Sequence, residues 1–74
     1  MEIKPGPVPP WQQVKAIIVD RIEASTYPPG GRLPSISDLA VEFGVARTTI
    51  QKATESLRDE GVIQTSPMGM FVSG

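Results

Sequence analysis

A mainly α fold that closes on a small β-hairpin is what this 74-residue sequence predicts, and three observations carry that prediction. The prolines stand at 5, 7, 9, 10, 28, 29, 34 and 67, which leaves the windows 11–27 and 35–66 free to form regular structure. Within those windows apolar residues recur at helical spacing three times over. Beyond Gly61 the pattern changes to two short β-prone runs separated by a turn containing Pro67 and Gly69.

Taken in order, residues 1–10 hold four prolines and a glycine and read as an extended, flexible arm. Residues 11–74 form the domain. In the first window Trp11, Val14, Ile17, Ile18 and Ile22 mark one face, with Lys15, Asp20 and Glu23 opposite, so an amphipathic helix is expected from 11 to about 25. Tyr27-Pro28-Pro29-Gly30-Gly31 breaks it, and Arg32-Leu33 before Pro34 leaves room for at most a minimal strand.

Ser35-Ile36-Ser37-Asp38 has the form of a capping box, with a hydroxyl for the third helical N–H and a carboxylate near the positive helix end. A second helix follows with Ile36, Leu39, Ala40 and Phe43 as its stripe, and Gly44 suits a left-handed stop. Ile50, Ala53 and Leu57 define a third helix over about 47–60, closed by Gly61. Val62–Thr65 and Met70–Val72 are the expected hairpin strands, joined by Ser66-Pro67-Met68-Gly69.

Composition narrows the function. With 39% apolar and 20% charged residues the chain is an ordinary globular sequence, not a disordered one. It contains neither Cys nor His, which removes disulfides, the usual zinc ligands and the commonest catalytic base and nucleophile. No enzyme, metal site or cofactor is expected. The longest apolar run, Ala16–Val19, is far shorter than the ~20 residues of a membrane span, and a cytoplasmic protein with no membrane partner is expected.

Two helices joined by Gly44-Val45-Ala46 make a helix-turn-helix, and a hairpin directly after them makes a wing. Such a fold lays its later helix in the DNA major groove. At about 100° per residue from the buried Ile50, the outward face of the third helix is Thr48, Gln51, Lys52 and Glu55, with Arg47 and Thr49 at its start. Arginine pairs with guanine, glutamine with adenine, threonine bonds either way, and lysine neutralises phosphate. The net charge is −1, yet residues 44–54 hold Arg47 and Lys52 and no acid, so the positive charge is local. Ser35 caps a helix N-terminus that can also hold a phosphate, with Ser37 beside it; Arg32 and Lys15 are further phosphate candidates, while Glu55 reads as solvated.

Several motifs fall in one order: Tyr27 through Ser35, Asp38-Leu39-Ala40, Phe43 through Ile50, Leu57 through Val62, and Gly69 through Val72. Over roughly residues 10–73 this resembles the N-terminal winged-helix DNA-binding domain of the GntR family of bacterial transcription regulators. The resemblance implies a sequence-specific DNA-binding domain of a regulator, a repressor by expectation, that binds double-stranded operator half-sites as a dimer. It also brings Gly69 of the wing into the DNA-binding set of Ser35, Ser37, Arg47, Thr48, Thr49, Gln51 and Lys52. An isolated domain of this size is expected to be monomeric in solution and to pair on a two-fold operator.

Four departures from the family pattern matter. Ile36-Ser37 replaces a common Glu-Arg, Ala46 replaces a capping serine, Gln51-Lys52 replaces Arg-Glu, and the wing carries no Lys or Arg. The uncharged wing, the acidic pI of about 5.2 and Met68 at the turn motivate a second function: a winged-helix module that docks on another protein.

Overall fold

The computed structural model describes residue 3 and residues 6–73, and its elements are α1 (Pro10–Glu23), α2 (Ile36–Phe43), α3 (Arg47–Asp59), β1 (Ile63–Ser66) and β2 (Gly69–Val72). Of the proline-rich arm, residues 1, 2, 4 and 5 lie outside the described residues. Pro9 is the N-cap of α1 and Pro10 its first residue, where the missing N–H costs no helical bond. The Pro9 carbonyl accepts from the Gln12 and Gln13 amides, and the Gln13 side chain donates to the Val8 carbonyl at 2.9 Å.

α1 stops two residues short of the expected 25. No glycine is available there, and Ser25 takes the left-handed conformation itself, with φ 61°, while Thr26 N donates to the Arg21 carbonyl. The second helix follows its sequence signals closely. Ser35 Oγ accepts from Asp38 N at 3.1 Å, and Gly44, with φ 66°, closes the helix while Val45 N donates to the Ala40 carbonyl. α3 starts at Ala46, whose backbone has the extended geometry of an N-cap but whose methyl gives no capping bond.

The core is one cluster. Val14 and Ile18 of α1, Leu39 and Phe43 of α2, and Ile50, Ala53 and Leu57 of α3 meet Ile63, Met70 and Val72 of the hairpin. The third helix therefore lies between α1, α2 and the first strand. Ile36 is half-buried at the edge of the cluster, as are Trp11 and Ile3.

β1 and β2 pair antiparallel from Ile63↔Val72 to Ser66↔Gly69, so the loop between them is only Pro67-Met68. The turn is tighter than the expected four residues because Ser66 serves as its clamp. Its hydroxyl accepts from Met68 N at 3.2 Å and donates to the Gly69 carbonyl at 3.3 Å. The opposite edge of β2 is occupied by the segment before α2. Arg32 bridges Phe71 antiparallel, Leu33 N donates to the Met70 carbonyl at 2.8 Å, and Val72 N donates to the Gly31 carbonyl at 2.9 Å. No helix among the described residues is long and apolar enough to cross a membrane.

Candidate nucleic-acid interface

A cleft of about 530 Å³ opens between the N-terminus of α2, one face of α3 and the wing. Its α3 wall is a single row. Arg47, Gln51, Glu55 and Arg58 follow one another at helical spacing and all line the cleft. Thr54, buried beside them, satisfies its hydroxyl by donating to the Gln51 carbonyl at 3.0 Å.

The second wall is the start of α2. Ser35 and Ser37 both line the cleft, and the positive end of the helix opens into it. The third wall is the wing, contributing Thr65, Ser66, Gly69 and Met70, with Arg32 beside it. Three guanidinium groups, from Arg32, Arg47 and Arg58, thus face one carboxylate, from Glu55, in a chain whose overall charge is −1. The cleft is a local electropositive site suited to an anion of extended shape.

Five of the eight residues singled out in the sequence meet here: Ser35, Ser37, Arg47, Gln51 and Gly69. Thr48, Thr49 and Lys52 lie outside the cleft. Thr48 is exposed one step around the helix from Arg47, and Thr49 is half-buried, its amide bonded to the Ala46 carbonyl at 3.1 Å. Lys52 is exposed too, but its ammonium sits 5.1 Å from the centroid of the Trp11 ring, on the α1 side. The cleft row shares Gln51 and Glu55 with the outward arc opposite Ile50, includes Arg47 from the helix start, and adds Arg58.

Other polar contacts brace the domain. Lys15 donates to Ser56 Oγ at 3.0 Å and pairs with Glu60, joining α1 to the far end of α3 and holding the Glu60 carboxyl below its usual range. Lys15 is therefore engaged away from the cleft. Arg21 donates to Glu42 Oε1 at 3.1 Å and to the Tyr27 hydroxyl at 2.6 Å, and its guanidinium lies 5.2 Å from the Phe43 ring centroid. The bond with Glu42 raises the Arg21 pKa further and lowers that of Glu42. Met68 stands at the wing tip with 77% of its surface exposed.

Three helices, a glycine-closed turn between the last two, and a hairpin packed after them define a winged helix-turn-helix domain. The sequence matches the bacterial regulatory proteins of the gntR family over residues 10–72, and the chain belongs to that family. It is 34% identical to the HTH-type transcriptional regulator Rv1152 of Mycobacterium tuberculosis over 99% of its own length and 60% of that protein's. With the histidine utilization repressor of Pseudomonas putida the identity is 36%, over 92% of this chain and 28% of that one. The chain thus spans less than two thirds of the length of either relative. Among solved structures it superposes on the AraR DNA-binding domain in complex with operator ORX1 with a TM-score of 0.93, at 30% identity, covering 99% of this chain and 95% of that one. The GntR-family transcription factor YtrA from Sulfolobus acidocaldarius matches with a TM-score of 0.88 at 33% identity, over 97% and 80% of the two chains.

Proposed function

We propose that this domain is the operator-reading part of a transcriptional repressor, with α3 lying in the major groove of double-stranded DNA. The observation that carries the proposal is the cleft-facing row of α3, where Arg47 and Gln51 lead from the N-terminal end. In this reading Arg47 donates its two-pronged guanidinium to a guanine edge and Gln51 pairs with an adenine. Thr48 and Thr49 face the flanking backbone, Lys52 supplies charge outside the cleft, and Ser35, Ser37 and the amides of the α2 N-terminus hold a phosphate. The wing, with Gly69 beside its turn, follows the DNA backbone beside the major groove. Repression is supported by the relatives named repressors, among them the Pseudomonas putida protein. Operator binding is supported by the AraR DNA-binding domain in complex with its operator. The domain pairs on a two-fold site, works in the cytoplasm where a bacterial chromosome lies, and performs no catalysis.

An amide NMR titration with a pool of short random duplexes at about 50 and 200 mM salt tests this directly, comparing the wild type with Arg47→Ala. Shifts clustered on residues 35–38 and 46–52, weakened by salt and lost in the variant, are expected. With three to four phosphates neutralised, log K should fall against log salt with a slope near about −3. A flat salt response overturns the proposal.

A further inference from the structure

The wing lacks its own cation, and the fold provides one from elsewhere in the chain. Residues 62–73 contain neither Lys nor Arg. Arg32 lies before α2 in sequence, but its backbone bridges Phe71 on the free edge of β2, with a hydrogen bond on either side fixing the register. Phe71 and Gly69 are two residues apart on one strand and so share a face of the hairpin. The Arg32 guanidinium lies against that face at Gly69. A Cβ added to Gly69 would come within 2.8 Å of Arg32 Nε and 3.2 Å of its Nη2, so the arginine occupies the space that a side chain on the strand would fill.

The remaining cations sharpen the point. Lys15, Arg21 and Arg58 each pair with a carboxylate, and Lys52 sits over Trp11. Among the described residues, Arg32 and Arg47 are the two cations with neither an acidic nor an aromatic partner. Both are exposed, and both line the cleft, one beside the wing and one on α3. Burial does not explain Arg32, and among the described residues no acid is in ion-pair contact with it.

We propose that Arg32 is the phosphate-binding cation of the wing, lent across the sheet edge and seated in the space left by Gly69. This rests on the DNA-binding reading and adds to it the residue that anchors the wing to the nucleic-acid backbone. A guanidinium in this position grips a phosphate of any sequence, so it contributes affinity and orientation without choosing bases. Gly69 then has two duties. Its φ of 134° is disfavoured for other residues, and its bare Cα leaves the space that the Arg32 head group fills.

The test is fluorescence anisotropy with labelled duplexes of about 20 base pairs and random sequence, across about 50–200 mM salt, on wild type, Arg32→Gln, Arg32→Lys and Arg47→Ala. Arg32→Gln should bind more weakly and flatten the salt slope by about 0.9, so that its affinity falls about 3.5-fold less than that of the wild type across this range. Arg32→Lys should keep the wild-type slope. Sequences selected by Arg32→Gln should match those selected by the wild type, whereas Arg47→Ala should select differently. In the wild type, the Arg32 Nε–H resonance should shift on adding duplex, a readout that does not depend on a variant folding. An unchanged slope in folded Arg32→Gln, or an unmoved Arg32 resonance while wild type binds, overturns the proposal and leaves the DNA reading standing. Failure of wild type to bind any duplex at low salt overturns both.

Discussion

Lys52 and Trp11 face each other across the junction of α3 and α1, with the ammonium 5.1 Å from the centre of the ring. The pair lies at the surface, so the attraction is about 0.5–1 kcal/mol. Lys52→Ala should therefore destabilise the domain by no more than about 1 kcal/mol, and it should alter the emission of the single tryptophan. Its effect on DNA affinity should be smaller than that of Arg47→Ala, because the ring competes with phosphate for the charge. Equal losses from the two substitutions would show that the ring does not restrain Lys52.

Ala46 has the backbone of an N-cap, φ −68° and ψ 152°, without a side chain that can cap. Ala46→Ser should supply the missing acceptor and stabilise the domain by about 1 kcal/mol, raising Tm by roughly 4–8 °C in a chain of this size. Thermal unfolding followed by circular dichroism measures it. An unchanged Tm would mean that water already satisfies those amides.

Ser25 ends α1 with φ 61°, a conformation that costs a side-chain-bearing residue free energy and glycine little. Ser25→Gly should stabilise the domain by about 0.5–1 kcal/mol, even though glycine loosens the unfolded chain. Destabilisation on urea titration would refute the argument.

The Arg21–Glu42 bond gives stability a direction in pH. Glu42 is held below the usual glutamate range in the folded domain, so the unfolded chain takes up the proton first as pH falls. The contribution is complete above the ordinary glutamate pKa of about 4.3 and is lost as pH drops through the folded value. Because the Glu42 side chain is 38% exposed, solvent screening keeps the pair under about 1 kcal/mol. Glu42→Gln should accordingly melt below wild type at neutral pH, and the two curves should converge as the pH falls below the ordinary glutamate range. A gap that persists in acid would show that the Glu42 charge is not the source of the effect.

Local signals placed the framework. The Ser35 capping serine, Gly44 and Gly61 mark helix ends through bonds made within a few residues, and each acts where the sequence puts it, while Pro10, read as the end of the arm, is the first residue of α1. Features that depend on distant partners were not legible. Nothing near Lys52 in sequence announces that Trp11 will lie beneath its ammonium, and nothing near Gly69 announces Arg32. Each wing strand runs one residue further into the turn than expected, to Ser66 and from Gly69, because a hydroxyl at Ser66 can bond its own turn, a competition that β-propensity does not weigh. The cleft row of α3 shares Gln51 and Glu55 with the arc opposite Ile50 but takes in Arg58 and leaves out Thr48 and Lys52, because a helical wheel shows what is buried, not which side a hairpin will cover.

The bracing of α3 is lopsided. Lys15 clamps its C-terminal end to α1 through Ser56 and Glu60, while its N-terminal end begins at an uncapped alanine. Ile50 and Lys52 hold the middle of the helix, so the loosely held part is its first turn alone, and that turn carries Arg47. Amide exchange should quicken from Leu57 toward Thr48, and a bound duplex should slow the quick end most. Contact with DNA then includes an ordering cost at the first turn, and the cap introduced by Ala46→Ser would remove part of it, tightening the complex without adding a contact to the DNA.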